Sequence, residues 1–168
     1  MKNLVIAAAF CLVGLVPQAT ANSLYIDDLD ASGNSVELSV LGQENLISIT
    51  QQLIPGGQGL STPNVLRLSI TGDGNGEGAN VDLSNSFFSG DVTSGSLLQS
   101  GSGNMIELSV LGSNNLFAFA QTGHNNTAFG SMTGHANMAN VQQMGNNNVA
   151  AFSQNGNGNM INISQKSW

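Results

Sequence analysis

The chain has 168 residues, of which only 8% are charged, and three basic residues stand against ten acids for a formal net charge of −7. With no basic patch to meet a phosphate backbone, nucleic-acid binding is excluded. Cys11 is the only cysteine, so no disulfide can form within the chain.

At the N-terminus, Lys2 precedes an apolar run from Leu4 to Val16 that closes on Ala19-Thr20-Ala21. This pattern predicts a secretory signal peptide over residues 1–21, cleaved after Ala21. The run is shorter than the roughly 20 residues a spanning helix needs, so no transmembrane segment is expected. Cys11 would leave with the leader, and Phe10 before it is too bulky for a lipoprotein cleavage site. The mature chain would begin at Asn22 with Arg67 and Lys166 as its basic residues, giving a formal charge of −8. Nine of its acids lie between Asp27 and Asp91, and no charged residue occurs from Leu108 to Gln165. A Gly, Asn, Ser and Gln composition of this kind is compatible with disorder, but the order of the residues argues against it.

Residues 22–98 carry a degenerate repeat. Asn34-Ser-Val36-Glu-Leu38-Ser-Val40 and Asn45-Leu-Ile47-Ser-Ile49-Thr-Gln51 stand 11 apart with Gly42 between them. Pro55 to Pro63 reads as a loop, Asn64 to Ile70 as a strand, and Thr71 to Leu98 shows no clear phase, although Thr93, Leu97 and Gln99 fit the unit that precedes Asn104.

Residues 99–165 are regular, and 166–168 form a short tail. Asn recurs at Asn104, Asn115, Asn126, Asn137, Asn148 and Asn159, each preceded three residues earlier by Gly101, Gly112, Gly123, Gly134, Gly145 and Gly156. Gln99, Gln121, Gln143, Gln154 and Gln165 share one phase, with Val110 and Met132 at two other positions of that phase. The residues two and four after each Asn are apolar or small throughout. They include Ile106, Leu108, Phe117, Phe119, Val141, Phe152, Ile161 and Ile163, and the positions between them are mostly polar. Such alternation predicts strands with one buried face, separated by glycine turns. Nine strands follow from the pattern, with up to twelve in all.

A strand-turn unit of fixed length must close its apolar face against another copy of itself. Two units then make one flattened turn of 22 residues. The predicted fold is all-β: a two-sheet β-solenoid, or amyloid-type β-helix, behind a cleaved signal peptide. Equivalent residues of successive turns would lie about 4.8 Å apart. That spacing stacks Asn104, Asn126 and Asn148 in one ladder, Asn115, Asn137 and Asn159 in another, and the glutamines beside them.

Other chemistries fit less well. His124 and His135 are 11 apart and so fall on opposite edges of the turn, which disfavours a shared metal. Asp73-Gly-Asn75-Gly-Glu77-Gly78 matches half of a calcium loop, but Ser84 stands where a bidentate Glu is wanted, so an acidic turn is the simpler reading. Gly56 to Ser61 lacks the Asp of calcium-binding nonapeptides. No enzyme is expected, because no acid follows Glu107 in the regular repeats and no serine is distinguished as a nucleophile. No cofactor is expected either. A monomeric secreted solenoid acting as an adhesin, ice-binding or ligand-binding module is the alternative. Against it, no capping end is visible, and the outward residues vary from Met105 to Leu116 to Thr127.

Gln99-x-Gly101-x-x-Asn104, Gln121-Thr-Gly123-His-Asn-Asn126, Gln143-Met-Gly145-Asn-Asn-Asn148 and Gln154-Asn-Gly156-Asn-Gly-Asn159 resemble the curlin repeat of curli fibre subunits. The likeness is good over 99–165 and moderate over 31–51. It implies a subunit exported through the periplasm and an outer-membrane secretion channel. At the cell surface the subunit would self-associate, and join other curli subunits, in amyloid fibres that serve adhesion and the biofilm matrix. The loop from Pro55 to Pro63 and the blurred segment after Thr71 depart from the family pattern.

Overall fold

The computed structural model describes residues 6–10, 21–29, 33–54, 62–78 and 93–168. Of the expected loop from Pro55 to Pro63, residues 55–61 lie outside the described residues, as do Ser84 and Asp91.

The described strands are β1 (Ile6–Phe10), β2 (Ser23–Leu29), β3 (Ser35–Leu41), β4 (Leu46–Leu53), β5 (Val65–Thr71), β6 (Ser96–Ser102), β7 (Met105–Leu111), β8 (Leu116–His124), β9 (Thr127–Thr133), β10 (Met138–Asn146), β11 (Val149–Asn155) and β12 (Met160–Lys166). Odd strands form one parallel sheet, A, in the order β1-β3-β5-β7-β9-β11, and even strands form the other, B, in the order β2-β4-β6-β8-β10-β12. The chain therefore alternates between sheets, and a two-sheet β-solenoid results. The nine strands read from the repeat are all present, and β2 and β6 extend them. β1 was not foreseen: it lies in the expected leader and pairs with β3, Ile6 beside Val36 and Phe10 beside Val40.

The two sheets close on a core one side chain deep on each face. Val36, Leu38, Ile47, Ile49, Leu66, Leu68, Ile70, Leu97, Ile106, Leu108, Phe117, Phe119 and Val141 are buried in one continuous cluster. Phe152 and Ile163 only pack against it, because each lies in the last strand of its sheet. Ile161 is likewise half-buried. Burial of one face through alternation is what fixes the register, since a one-residue slip would turn every apolar side chain outward.

Period-two alternation fails in part of sheet B. Outward Ala118, Ala120, Asn140 and Gln142 are buried as well, so β8 and β10 are covered on both faces.

The residue before most of the stacked asparagines has left-handed backbone: Glu44, Asn114, Asn125, Ala136 and Asn147 have φ between 54° and 57°, and Gly74, Gly103 and Gly158 between 66° and 69°. Asn tolerates this conformation, whereas Ala carries a penalty of about 1–2 kcal/mol that the extra chain entropy of Gly offsets only in part. Ala136→Gly is thus expected to stabilise the fold by about 0.5–1 kcal/mol, read as a rise in urea midpoint.

Candidate functional site

Each edge of the solenoid is built from an asparagine column. On the edge leading into sheet B the column is Asn22, Asn45, Asn75, Asn115, Asn137 and Asn159, with side-chain amide bonds of 2.9–3.1 Å between successive turns. On the edge leading into sheet A, Nδ2 of Asn104, Asn126 and Asn148 donates to Oδ1 of Asn64, Asn104 and Asn126 at 2.9–3.0 Å. Asn34 begins this column by accepting the backbone N–H of Asn64. Oδ1 of each inner Asn takes both the backbone N–H and the Nδ2 of the next, as Asn104 does from Asn126.

The second hydrogen of Nδ2 explains why glycine stands three residues before asparagine. Asn115 donates to Gly134 O at 3.0 Å and Asn126 to Gly145 O at 2.8 Å, each in the following turn on the same edge. The turn is so tight that a Cβ on Gly112, Gly123 or Gly134 would collide with the carbonyl of Gly134, Gly145 or Gly156 above it. Gly101 meets Gly123 in the same way. Their φ values of 118–125° add a second reason that only glycine fits.

A third column crosses the interior. Gln51 Nε2 donates to Gln99 Oε1 at 2.7 Å, Gln99 to Gln121 at 3.0 Å, Gln121 to Gln143 at 2.8 Å, and Gln143 to Gln165 at 2.8 Å. Each amide also bonds a backbone carbonyl that opens the facing strand, as Gln121 does to Met105 O. Gln154 is not in this column. It lies in sheet A beside Met132, which offers no amide, and its Oε1 is buried without a hydrogen-bond partner among the described residues, while Nε2 reaches Met138 O.

Further columns escaped the sequence reading. Outward on sheet A, Ser39, Ser69, Ser109, Ser131 and Ser153 form an unbroken hydroxyl rank. Beside it, Arg67 Nε is 3.2 Å from Glu37 Oε2 and Nη1 is 4.0 Å from Glu107 Oε2. A groove of about 780 Å³ runs between the two ranks, with Phe129 on its wall. At one edge, backbone N–H groups donate to the next turn's side chain: Gln43 to Asp73 Oδ1, Asp73 to Ser113 Oγ, Ser113 to His135 Nδ1, and His135 to Asn157 Oδ1. His124 belongs to the opposite edge, 2.9 Å from Ser102 Oγ.

Asn75 is the most informative of the missed residues. In sequence it resembles a calcium ligand, yet it is fully buried and its Oδ1 accepts both donors of Asn115. The available signal was the pairing: 34/45, 64/75 and 104/115 are all 11 apart, and only the distance between pairs changes, from 30 to 40.

The columns reach β11 and β12. Among the described strands, β11 and β12 each have a neighbour on one side only. Asn159 is exposed where Asn137 is fully buried, and Val149 and Met160 are 61% and 72% exposed. Chemically, the last turn is a template of unpaired backbone groups and half-covered apolar side chains.

A family model described as the curlin associated repeat matches residues 134–166, about a fifth of the chain. Comparisons with curated proteins and with solved structures found no match. The matched residues form three Gly-x-x-Asn turns and strands β10 to β12, and the columns they belong to run back without a break to Asn22 and Asn34. Over residues 134–166 the chain is thus similar to the curlin associated repeat.

Proposed function

We propose that the chain is a secreted structural subunit that polymerises end to end into curli-type amyloid fibres at the cell surface, supporting adhesion and the biofilm matrix. It would reach the surface through the periplasm and an outer-membrane channel after loss of residues 1–21, with copies of itself and other curli subunits as partners. The observation that carries this reading is that every column ends at β11 and β12 in the geometry that joins one turn to the next. A second copy extends the sheets without altering that geometry, and the charge-free stretch from Leu108 to Gln165 offers little repulsion to oppose it. The role is architectural rather than catalytic.

The serine rank and the groove beside it favour a second reading, a monomeric solenoid that binds a ligand along sheet A. Electron microscopy and fibre diffraction of residues 22–168 separate the two. Fibres with a meridional reflection near about 4.7 Å support polymerisation, and a persistent monomer supports the binding solenoid.

A further inference from the structure

The strand at the head of sheet A comes from the expected leader. β1 pairs with β3 in the register Ile6 to Val36, Ala8 to Leu38 and Phe10 to Val40, the same parallel pairing that joins the later turns. β3 has the burial of an inner strand, with Val36, Leu38 and Val40 only 4–7% exposed. Side chains in strands with an open edge differ: Leu24 and Ile26 of β2, Phe152 of β11 and Ile163 of β12 are only partly buried. Ser35 N–H donates to Asn64 O, so the odd residues of β3 face β5, and Val36, Leu38 and Val40 turn their N–H and C=O groups toward β1. By the same offset, Ala7 and Ala9 carry the N–H groups that face Val36 O and Leu38 O.

Without residues 1–21 the two sheets no longer match. Among the described strands, sheet A then has five, from β3 to β11, and sheet B has six, from β2 to β12. Strands stack about 4.8 Å apart in both sheets, so five cannot fill the axial length of six. In copies joined end to end both sheets must advance equally. Sheet B can continue at once, β2 of one copy on β12 of the last, and this sets an advance of about 29 Å per copy. Sheet A then has one strand position left over at each junction, between β11 of one copy and β3 of the next. It is the position that β1 holds in the full chain.

We propose that the head edge of β3 is a strand-accepting site, that its occupant is the strand Ile6–Phe10, and that loss of residues 1–21 opens one such site per copy. The opening of a site at each junction rests on the end-to-end reading above, whereas the site itself needs only the edge of β3. Its chemistry is strand addition: main-chain bonds to Val36, Leu38 and Val40 supply affinity, and alternate positions supply selectivity. Those positions continue the apolar columns that run through Val36, Leu38 and Val40 to Leu66, Leu68 and Ile70. They therefore select small or apolar residues, as Ile6, Ala8 and Phe10 are.

The test is a synthetic peptide of residues 1–21 added to the chain 22–168, beside the same peptide with Ala7→Pro and Ala9→Pro, which removes both N–H donors. The unmodified peptide should bind the soluble chain at one per copy and enter fibres in the same ratio. It should also lower the critical concentration about tenfold, because it closes two open strand edges at each junction. The proline peptide should do none of these. Fibres grown without peptide should carry one chain per about 29 Å, read as mass per unit length. Equal uptake of the two peptides, uptake of neither, or one chain per about 24 Å, which leaves sheet A without a gap, overturns the proposal. Absence of fibres from the chain 22–168 overturns the end-to-end reading instead, and peptide binding to the soluble chain then still decides the site.

Discussion

Phe119→Ala is expected to destabilise the mature chain by about 3–5 kcal/mol, the range for emptying a buried phenylalanine site. Phe119 is fully buried in the column Ile49, Leu97, Phe119, Val141, and its ring centroid lies 6.0 Å from that of Phe152 in the facing sheet. Strands held in register above and below cannot collapse into the void, so most of the cavity term should persist. Urea unfolding of the soluble chain measures the change. A shift within about 0.5 kcal/mol would put Phe119 outside the core.

Asn126→Ala should have an effect of similar size through hydrogen bonding rather than packing. Asn126 Nδ2 donates to Asn104 Oδ1 and Gly145 O, and its Oδ1 accepts the N–H and Nδ2 of Asn148. Truncation strands groups in the turns before and after it, and each buried orphan costs about 1–3 kcal/mol. A total of roughly 3–5 kcal/mol is expected, compared with less than about 0.5 for the exposed Asn155→Ala. Equal losses for the two variants would show that the column adds nothing beyond ordinary strand structure.

The fold was legible from residue 99 onward because nothing interrupts the repeat there, so Gly, Asn and apolar positions hold one phase. In the first half, two lengthened connections shift the phase between asparagine pairs while leaving the pairs intact, and Asn75 was consequently read inside an acidic turn. The 22-residue turn was applied to the asparagines but not carried through to the glutamines or to the outward residues. The chain alternates between sheets, so residues that touch are 22 apart. Gln154 shares a phase with Gln143 and Gln165 but stacks with Met132. Met105, Leu116 and Thr127 seem irregular in sequence only because Leu116 lies on the other sheet, whereas the serine rank is regular at the true period. Half-burial of Phe152, Ile161 and Ile163 reflects their place in the last turn, which an internal pattern of apolar positions does not reveal.

Those last residues test the central claim most directly. If the final turn is a template for the next copy, Ile161 and Ile163 become fully covered on assembly, while Asn162 and Ser164 stay on the outer face. Ile161→Lys/Ile163→Lys would bury two unpaired cations at a cost of several kcal/mol, on the order of the penalty for uncompensated buried charge. Thioflavin binding and fibre diffraction of this double variant, of Asn162→Lys/Ser164→Lys and of wild type form the decisive comparison. The account predicts fibres with a reflection near about 4.7 Å from wild type, nearly as many from the outward variant, and severely slowed growth from the inward one. A wild-type chain that stays monomeric at tens of micromolar, or an inward variant that assembles like wild type, would contradict it.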